Sequence, residues 1–374
     1  MSTTVERVGD VIIVGAGIVG AACAHEFGQR GLDVHVIDAN LGGATAAGMG
    51  HLVHVDGSQE ELALCAYSLN CWQQLAPALP ADCAHRNCGT LWLAEHADDR
   101  PAAQAKQDTL AQHGVASQWL DPDELVRREP LLRHGLAGAL HVPGDGIVYA
   151  PAVARWLLDS AGSRVTCSRA RVTTLDAGCV QLDDGSWRSA NHVVLANGLG
   201  ANALLGQPLL QPKKGQLVIT DRYPSMIHHQ LVELAYTRQA HARDGASVAF
   251  NVQPRPTGQI LVGSSRQPDE EDMAIDDDLL ARMLRRAMDF LPSLGRMTAI
   301  RAWTGLRAAG TDELPLLGAW PGHPGLWVNL GHEGHGITTA PGCARILADL
   351  ICGHRPELDP TPYDPRRAAA WRQA

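Results

Sequence analysis

Three glycines, Gly15, Gly17 and Gly20, follow a run of β-branched residues, and a carboxylate, Asp38, stands 23 residues after Gly15. This spacing suits a dinucleotide. Gly15 permits a tight turn, Gly17 lets the backbone approach a pyrophosphate, and Gly20 lets a helix pack closely on its strand. The phosphates then lie at a helix start, where the unpaired N–H groups of residues such as Ile18 and Val19 and the aligned peptide dipoles favour negative charge. Asp38, with Ala39 behind it, is placed to accept from a ribose hydroxyl. A second glycine-rich turn comes directly after: Gly42-Gly43-Ala44-Thr45-Ala46-Ala47-Gly48-Met49-Gly50. Such small residues let a chain wrap a large flat ligand. His51 ends that turn, as a group that reaches the reacting centre or as a structural imidazole.

The elements that position these groups can be read around them. Val11 to Val14 form a buried strand, an amphipathic helix runs to about Arg30, Gly31 closes it, and Val34 to Ile37 form a second strand ending at the acid. Strand, turn, helix, strand and terminal acid agree, which a lone glycine motif would not. The regular strand–helix alternation of an NAD dehydrogenase does not follow. Helices are predicted over Glu60 to Leu75, from Pro151 to about Ala161, over Asp276 to Leu291, and from near Ala340 to Gly353. Strands are expected at Gly89 to Leu93, Val193 to Ala196 and Leu326 to Asn329. From Gly215 to Ser265 strands come without intervening helices, at Gln216 to Thr220, Ser247 to Val252 and Ile260 to Gly263, the pattern of an antiparallel sheet. The expected architecture is an α/β nucleotide-binding domain, residues 1–82, 145–207 and 297–374, interrupted by an α+β substrate domain, residues 83–144 and 208–296.

Composition narrows the function. Lys and Arg number 31 against 40 Asp and Glu, a net charge of −9, and no basic cluster exceeds Lys213-Lys214 or Arg366-Arg367, so nucleic acid is not an expected partner. The polar N-terminus passes straight into the first strand, leaving no room for a signal peptide, and no 18-residue apolar run offers a transmembrane span. Nine scattered cysteines include no C-x-x-C, which disfavours a zinc site, an iron–sulfur cluster and a dithiol centre, and suits small apolar residues in a reducing cytoplasm.

Three segments resemble the FAD-dependent D-amino acid oxidase family, the group that also holds glycine oxidase and sarcosine oxidase. They are the N-terminal unit with its second turn; Val193-Val194-Leu195-Ala196-Asn197-Gly198; and Arg301-Ala302-Trp303-Thr304-Gly305-Leu306-Arg307 continuing through Thr311–Gly318 to Gly331-His332-Glu333-Gly334-His335-Gly336-Ile337-Thr338-Thr339-Ala340-Pro341. The resemblance implies a Rossmann-like fold of the glutathione reductase type and an FAD-dependent amino acid dehydrogenase or oxidase acting on CH–NH or CH–NH2 donors. Lys213 to Pro224 and Gln230 to Leu234 are similar to the bacterial branch containing D-hydroxyproline dehydrogenases, opine oxidase subunits and a hydrogen cyanide synthase subunit. D-hydroxyproline or D-proline is the substrate expected from that branch, with glycine or sarcosine oxidation, or a role as one subunit of a larger oxidising complex, as the alternatives.

Carried onto this chain, the family pattern makes Arg307 the clamp for a substrate carboxylate, a role that a planar guanidinium suits by gripping both oxygens. Arg301 is the second candidate. It places Ala196, Asn197 and Gly198 beside the adenosine, and Gly305, Gly331, Gly334, His335, Gly336, Ile337 and Thr338 beside the flavin, where a helix start stabilises charge on the reduced ring. His335 and His332 are side-chain candidates there. A second carboxylate-binding Arg of glycine oxidase has Gly334 in its place, so the substrate grip must differ. At the places where relatives attach the flavin covalently stand Gly305 and, nearby, Thr45, so the FAD is expected to be noncovalent. The resemblance leaves the electron acceptor open among oxygen, a quinone and a partner subunit, and homo- or hetero-oligomers open likewise; a quinone would bring a cytoplasmic protein to the face of the inner membrane. A flavin disulfide reductase would need a second glycine motif and a C-x-x-C. A non-enzymatic flavoprotein subunit would not need Arg307.

Overall fold

The computed structural model describes residues 5–40, 42–176, 178–234 and 245–372. The ends of the chain and the other intervening residues assigned above to the two domains lie outside that description.

The strand Val11–Val14 lies inside a six-stranded sheet ordered Leu316–Ala319, Leu326–Leu330, His192–Leu195, Val11–Val14, Val34–Asp38, Val165–Arg169; all pairs are parallel except that of Leu316–Ala319. Both faces are covered, which is why Val11–Val14 is apolar throughout instead of alternating. Val11 and Ile13 join a core with the helices Ile18–Gln29, Gln59–Leu75, Ala150–Ser160 and Gly336–Ile351. Ile12 and Val14 face the other way, onto Val172, Val180 and Leu182 of a small four-stranded sheet. That small sheet, built from Val5–Arg7, Val172–Asp176, Cys179–Leu182 and Trp187–Ser189, has no counterpart in the expectations above.

An eight-stranded sheet makes the second unit, ordered Ala299–Ala309, Gln211–Thr220, Ile260–Pro268, Ser247–Pro254, Gln230–Glu233, Thr90–Ala94, Gly138–Val142, Gln118–Leu120. It is antiparallel as expected, except that Gln230–Glu233 runs parallel to Thr90–Ala94, a pairing of segments far apart in the chain. The helix Asp277–Phe290, capped by Asp276 Oδ1 accepting from Leu279 N at 2.9 Å, lays Met283, Ala287 and Phe290 into the core behind the sheet. Ala299–Ala309 is hydrogen-bonded along its length to Gln211–Thr220. A boundary drawn at residue 297 therefore cuts the sheet from its own edge strand.

The last helix also starts earlier than expected, at Gly336 and not near Ala340, so that Pro341 sits inside it. Proline cannot donate to the carbonyl four residues back. That carbonyl, Ile337 O, instead accepts from Trp72 Nε1 at 3.2 Å, and Thr338 O accepts from the same nitrogen at 3.0 Å. The indole thus relieves the fault that Pro341 leaves inside the helix. No helix among the described residues is long and apolar enough to cross a membrane.

Candidate active site

Gly15 has φ +105°, and a Cβ there would stand 2.7 Å from Ala196 O and 2.9 Å from Asn197 Cα, so the turn closes against the neighbouring strand only because it is glycine. A Cβ on Gly20 would lie 1.9 Å from Gly15 O, and one on Gly17 3.1 Å from Thr45 Oγ1. Asp38 Oδ2 accepts from Ala16 N at 2.6 Å and Oδ1 from Asn40 N at 2.5 Å, which pins the carboxylate across the glycine turn while each oxygen keeps a lone pair. Thr45 Oγ1 accepts from Ile18 N at 2.9 Å, so the Ile18 N–H, expected above to be open to a phosphate, is already taken by this hydroxyl. The N–H groups of Val19 and Gly20 precede the first bond of the helix, Ala21 N to Gly17 O, and so are available to anionic oxygens. Gly198 adopts φ +55° just after the His192–Leu195 strand, while Ala39 is half-buried beyond Asp38. A bare glycine backbone, an anion-ready helix start and a pinned acid together fit the pyrophosphate and ribose of FAD.

The second turn brings this cradle to the eight-stranded sheet. Ala44–Ala47 form a short helix whose Ala47 O accepts from Trp303 Nε1 at 3.0 Å; a Cβ on Gly305 would come within 2.3 Å of Ala47 Cβ. Met49 packs with Leu217 and Leu261, and Gly50, at φ +90°, presses on Val148 O. A Cβ on Gly48 would meet Ile337 Cδ1 at 3.1 Å, and Thr338 Oγ1 donates to His51 O at 3.0 Å, so this turn and the start of the last helix form one wall.

The loop Gly331 to His335 lies between that wall and the strand end. Glu333 N donates to Ala308 O at 3.0 Å. Gly331, at φ +76°, faces Leu210 and serves the turn. A Cβ on Gly336 would meet His332 Cβ at 3.3 Å, with Val19 Cγ2 at 3.8 Å. His332 is buried between Asn329 Oδ1 at 2.9 Å and Thr339 Oγ1 at 3.0 Å; burial pushes its pKa down to about 4, and it packs as a neutral structural ring. His335 is different. Burial disfavours its charge, but Glu61 Oε1, 2.8 Å from Nδ1, more than offsets this and raises its pKa.

Arg307 lies flat on Gly215, where a Cβ would stand 2.6 Å from Nη1 and 2.8 Å from Nη2. Nη1 donates to Ser265 O at 3.3 Å, and among the described residues the guanidinium makes no ion pair. Gly334 borders it, with Arg307 Cδ and Nε 3.8 Å from where a Cβ would be. Arg301 is exposed and its guanidinium lies over Trp303, away from this spot. Beside Arg307 sits Glu333, whose Oε1 is 3.0 Å from Arg266 Nη2 and 3.8 Å from Lys213 Nζ. Burial opposes its ionisation, yet Arg266, Arg307, His335 and Lys213 hold its pKa at about 2. Arg266 and Glu333 were not singled out from sequence, since their pairing joins a strand to a distant loop.

His51 faces the sheet. Its Nδ1 is bonded to Gln230 Oε1 and its Nε2 lies 3.1 Å from Asn251 Nδ2. Burial pushes its pKa down to about 4. A neutral imidazole engaged at both nitrogens is poorly placed to take a substrate proton.

The family described as FAD dependent oxidoreductase (DAO) matches residues 10–350. The chain belongs to this family. Its fold and its FAD dependence follow from that membership. This FAD-dependent oxidoreductase is 29% identical to a glycine oxidase of Geobacillus kaustophilus over 377 residues, 95% of this chain and 96% of that protein. It is 25% identical to Hydrogen cyanide synthase subunit HcnC of Pseudomonas aeruginosa over 414 residues, 96% and 95% of the two chains. The crystal structure of the Geobacillus kaustophilus glycine oxidase superposes with a TM-score of 0.85 at 26% identity, covering 96% of this chain and 98% of that one.

Proposed function

We propose that this FAD-dependent oxidoreductase converts a small amino acid or cyclic secondary amine, with D-hydroxyproline or D-proline as the preferred substrate, to the corresponding imine. Bound FAD supplies the hydride acceptor. The observation that carries the reading is Arg307, a guanidinium laid on a glycine, bordered by the Gly331–His335 loop and making no ion pair among the described residues. A fork of N–H donors left open in a partly buried site suits a carboxylate, and gripping both oxygens fixes which Cα hydrogen faces the acceptor. Glu333 keeps Arg266 and Lys213 engaged. The backbone N–H groups at the start of Gly336–Ile351 supply a positive dipole end that would stabilise charge on a reduced flavin held against this wall. Gly305, without a side chain, and Thr45, bonded to Ile18 N, leave the cofactor noncovalent.

Glycine is the second reading, favoured by the relatives named glycine oxidase. Anaerobic reduction of the flavin by a panel of D- and L-amino acids separates the two, and adding oxygen or a soluble quinone afterwards identifies the acceptor. D-proline-type substrates should bleach the visible flavin band and their L-enantiomers should not. Arg307→Ala that is reduced as fast as the unaltered protein would overturn the clamp.

A further inference from the structure

One buried polar atom in the wall beside this site has no partner among the described residues: Asn251 Oδ1, on a residue 5% exposed. Its orientation is dictated by groups further along the sheet. Gln230 Nε2 donates to Gly146 O at 2.8 Å and to Thr90 Oγ1 at 3.2 Å. A backbone carbonyl only accepts, so Gln230 must present Oε1 to His51. His51 Nδ1 therefore carries the ring proton and donates it there, while Gln253 Nε2, its own oxygen held by Arg255 Nη1 at 2.8 Å, donates to the same Gln230 oxygen at 3.3 Å. In a neutral ring Nε2 is then a lone pair. It can face only the NH2 of Asn251, at 3.1 Å, which leaves Asn251 Oδ1 as a bare acceptor.

The acceptor's strand is the neighbour of the strand whose carbonyl seats Arg307. Asn251 is paired with Gly263, two residues before Ser265, whose carbonyl holds the Arg307 guanidinium.

We propose that Asn251 Oδ1 accepts an N–H of the substrate amine, so that the site reads carboxylate and amine at two fixed points, with Gln230 and His51 as the relay that aims the amide. This rests on the amino-acid reading above and deepens it. The ligand class is then an amine-bearing carboxylate with a free N–H, and a ring ether of the same shape should be bound less well.

The test uses the FAD-loaded protein with two pairs of ligands: D-proline and tetrahydrofuran-2-carboxylate, glycine and acetate. Each pair shares a carboxylate, and only the first member carries N–H. Affinities come from anaerobic flavin reduction and from the shift of the visible flavin spectrum. Asn251→Leu should bind the amino acids about tenfold or more weakly, the loss expected when a hydrogen bond to a charged group goes, and bind the N–H-free carboxylates within about twofold. Asn251→Ala should behave alike, and Gln230→Leu, remote from the ligand, should reproduce the selective loss in part. Flavin content and melting temperature report folding. Equal weakening of both members of a pair, or of neither, overturns the assignment while leaving Arg307 standing. If neither amino acid reduces the unaltered protein and acetate binding is indifferent to Arg307→Lys, the underlying amino-acid reading falls, and this one with it.

Discussion

Replacing Gly215 by Ala tests the clamp without altering it. Gly215 has no positive φ, so alanine fits the backbone of Gln211–Thr220. Its Cβ, however, would stand 2.6 Å from Arg307 Nη1, 2.8 Å from Nη2 and 3.0 Å from Cζ, where ordinary contact begins at 3.4 Å. The guanidinium must lift by 3.4 minus 2.6, or 0.8 Å at Nη1. Because the obstructing atoms end a flexible side chain, folding stability should change by no more than about 1 kcal/mol. Catalysis is less forgiving: misplacement by about 1 Å costs up to about a hundredfold. The expected fall in kcat/KM is therefore about ten- to a hundredfold, roughly 1.4 to 2.7 kcal/mol. Stopped-flow reduction with D-proline and with glycine measures it, alongside flavin content and a melting curve. A variant that keeps its flavin, its melting temperature and full kcat/KM would show that the seat of Arg307 on Gly215 has nothing to do with substrate.

Asp38→Ala should weaken FAD binding by about 1 to 3 kcal/mol, because a charged acceptor pinned by Ala16 and Asn40 is lost; titrating apoprotein with FAD measures it, and wild-type affinity would leave Asp38 as a strand cap only. Gly305→Ala would drive a methyl to 2.3 Å from Ala47 Cβ, so overpacking of about 1 to 3 kcal/mol and a changed flavin spectrum are expected. Glu61→Gln should show a pH-dependent penalty of about 1 to 3 kcal/mol. His335 has a raised pKa in the fold, so the stability from its pair with Glu61 is complete below the unfolded value of about 6.5 and fades as pH rises through the folded one. Glu61 is lowered in turn, so on the acid side the contribution is lost only as pH falls through a value below that of an ordinary Glu. Melting curves of variant and wild type should differ most near about pH 6 and converge in alkaline buffer; a constant gap would refute the ion pair.

The nucleotide unit was legible because each of its signals is local: Val11 to Val14, the three glycines and Asp38 lie within one strand–helix–strand stretch. Arg307 was visible only through its motif, since nothing nearby in sequence announces that it will rest on Gly215. Ala299–Ala309 was harder, because Ala302, Gly305, Ala308 and Ala309 are poor strand formers and its pairing partner lies some ninety residues away. The ion pair of Arg266 with Glu333 joins a strand to a loop and leaves no trace in spacing. One clue was available for Asn251: Phe250 to Gln253 alternates apolar and amide residues within a buried strand, and a buried amide requires partners.

Ala299–Ala309 touches both halves of the proposed chemistry, meeting Ala47 of the cofactor-side turn at Gly305 and carrying the substrate clamp at Arg307. Two residues of extended chain measure about 6.8 Å. A pleated strand bonded along its whole length to a neighbour neither stretches nor shortens, so this segment works as a gauge block between ring and clamp. Substitutions around it can retune which side chains are admitted without changing that interval. A single inserted residue between Gly305 and Arg307 would do more than lengthen it, because alternate residues face opposite ways: the guanidinium would be delivered to the other face of the strand, the side on which Ala308 packs, and would no longer rest on Gly215.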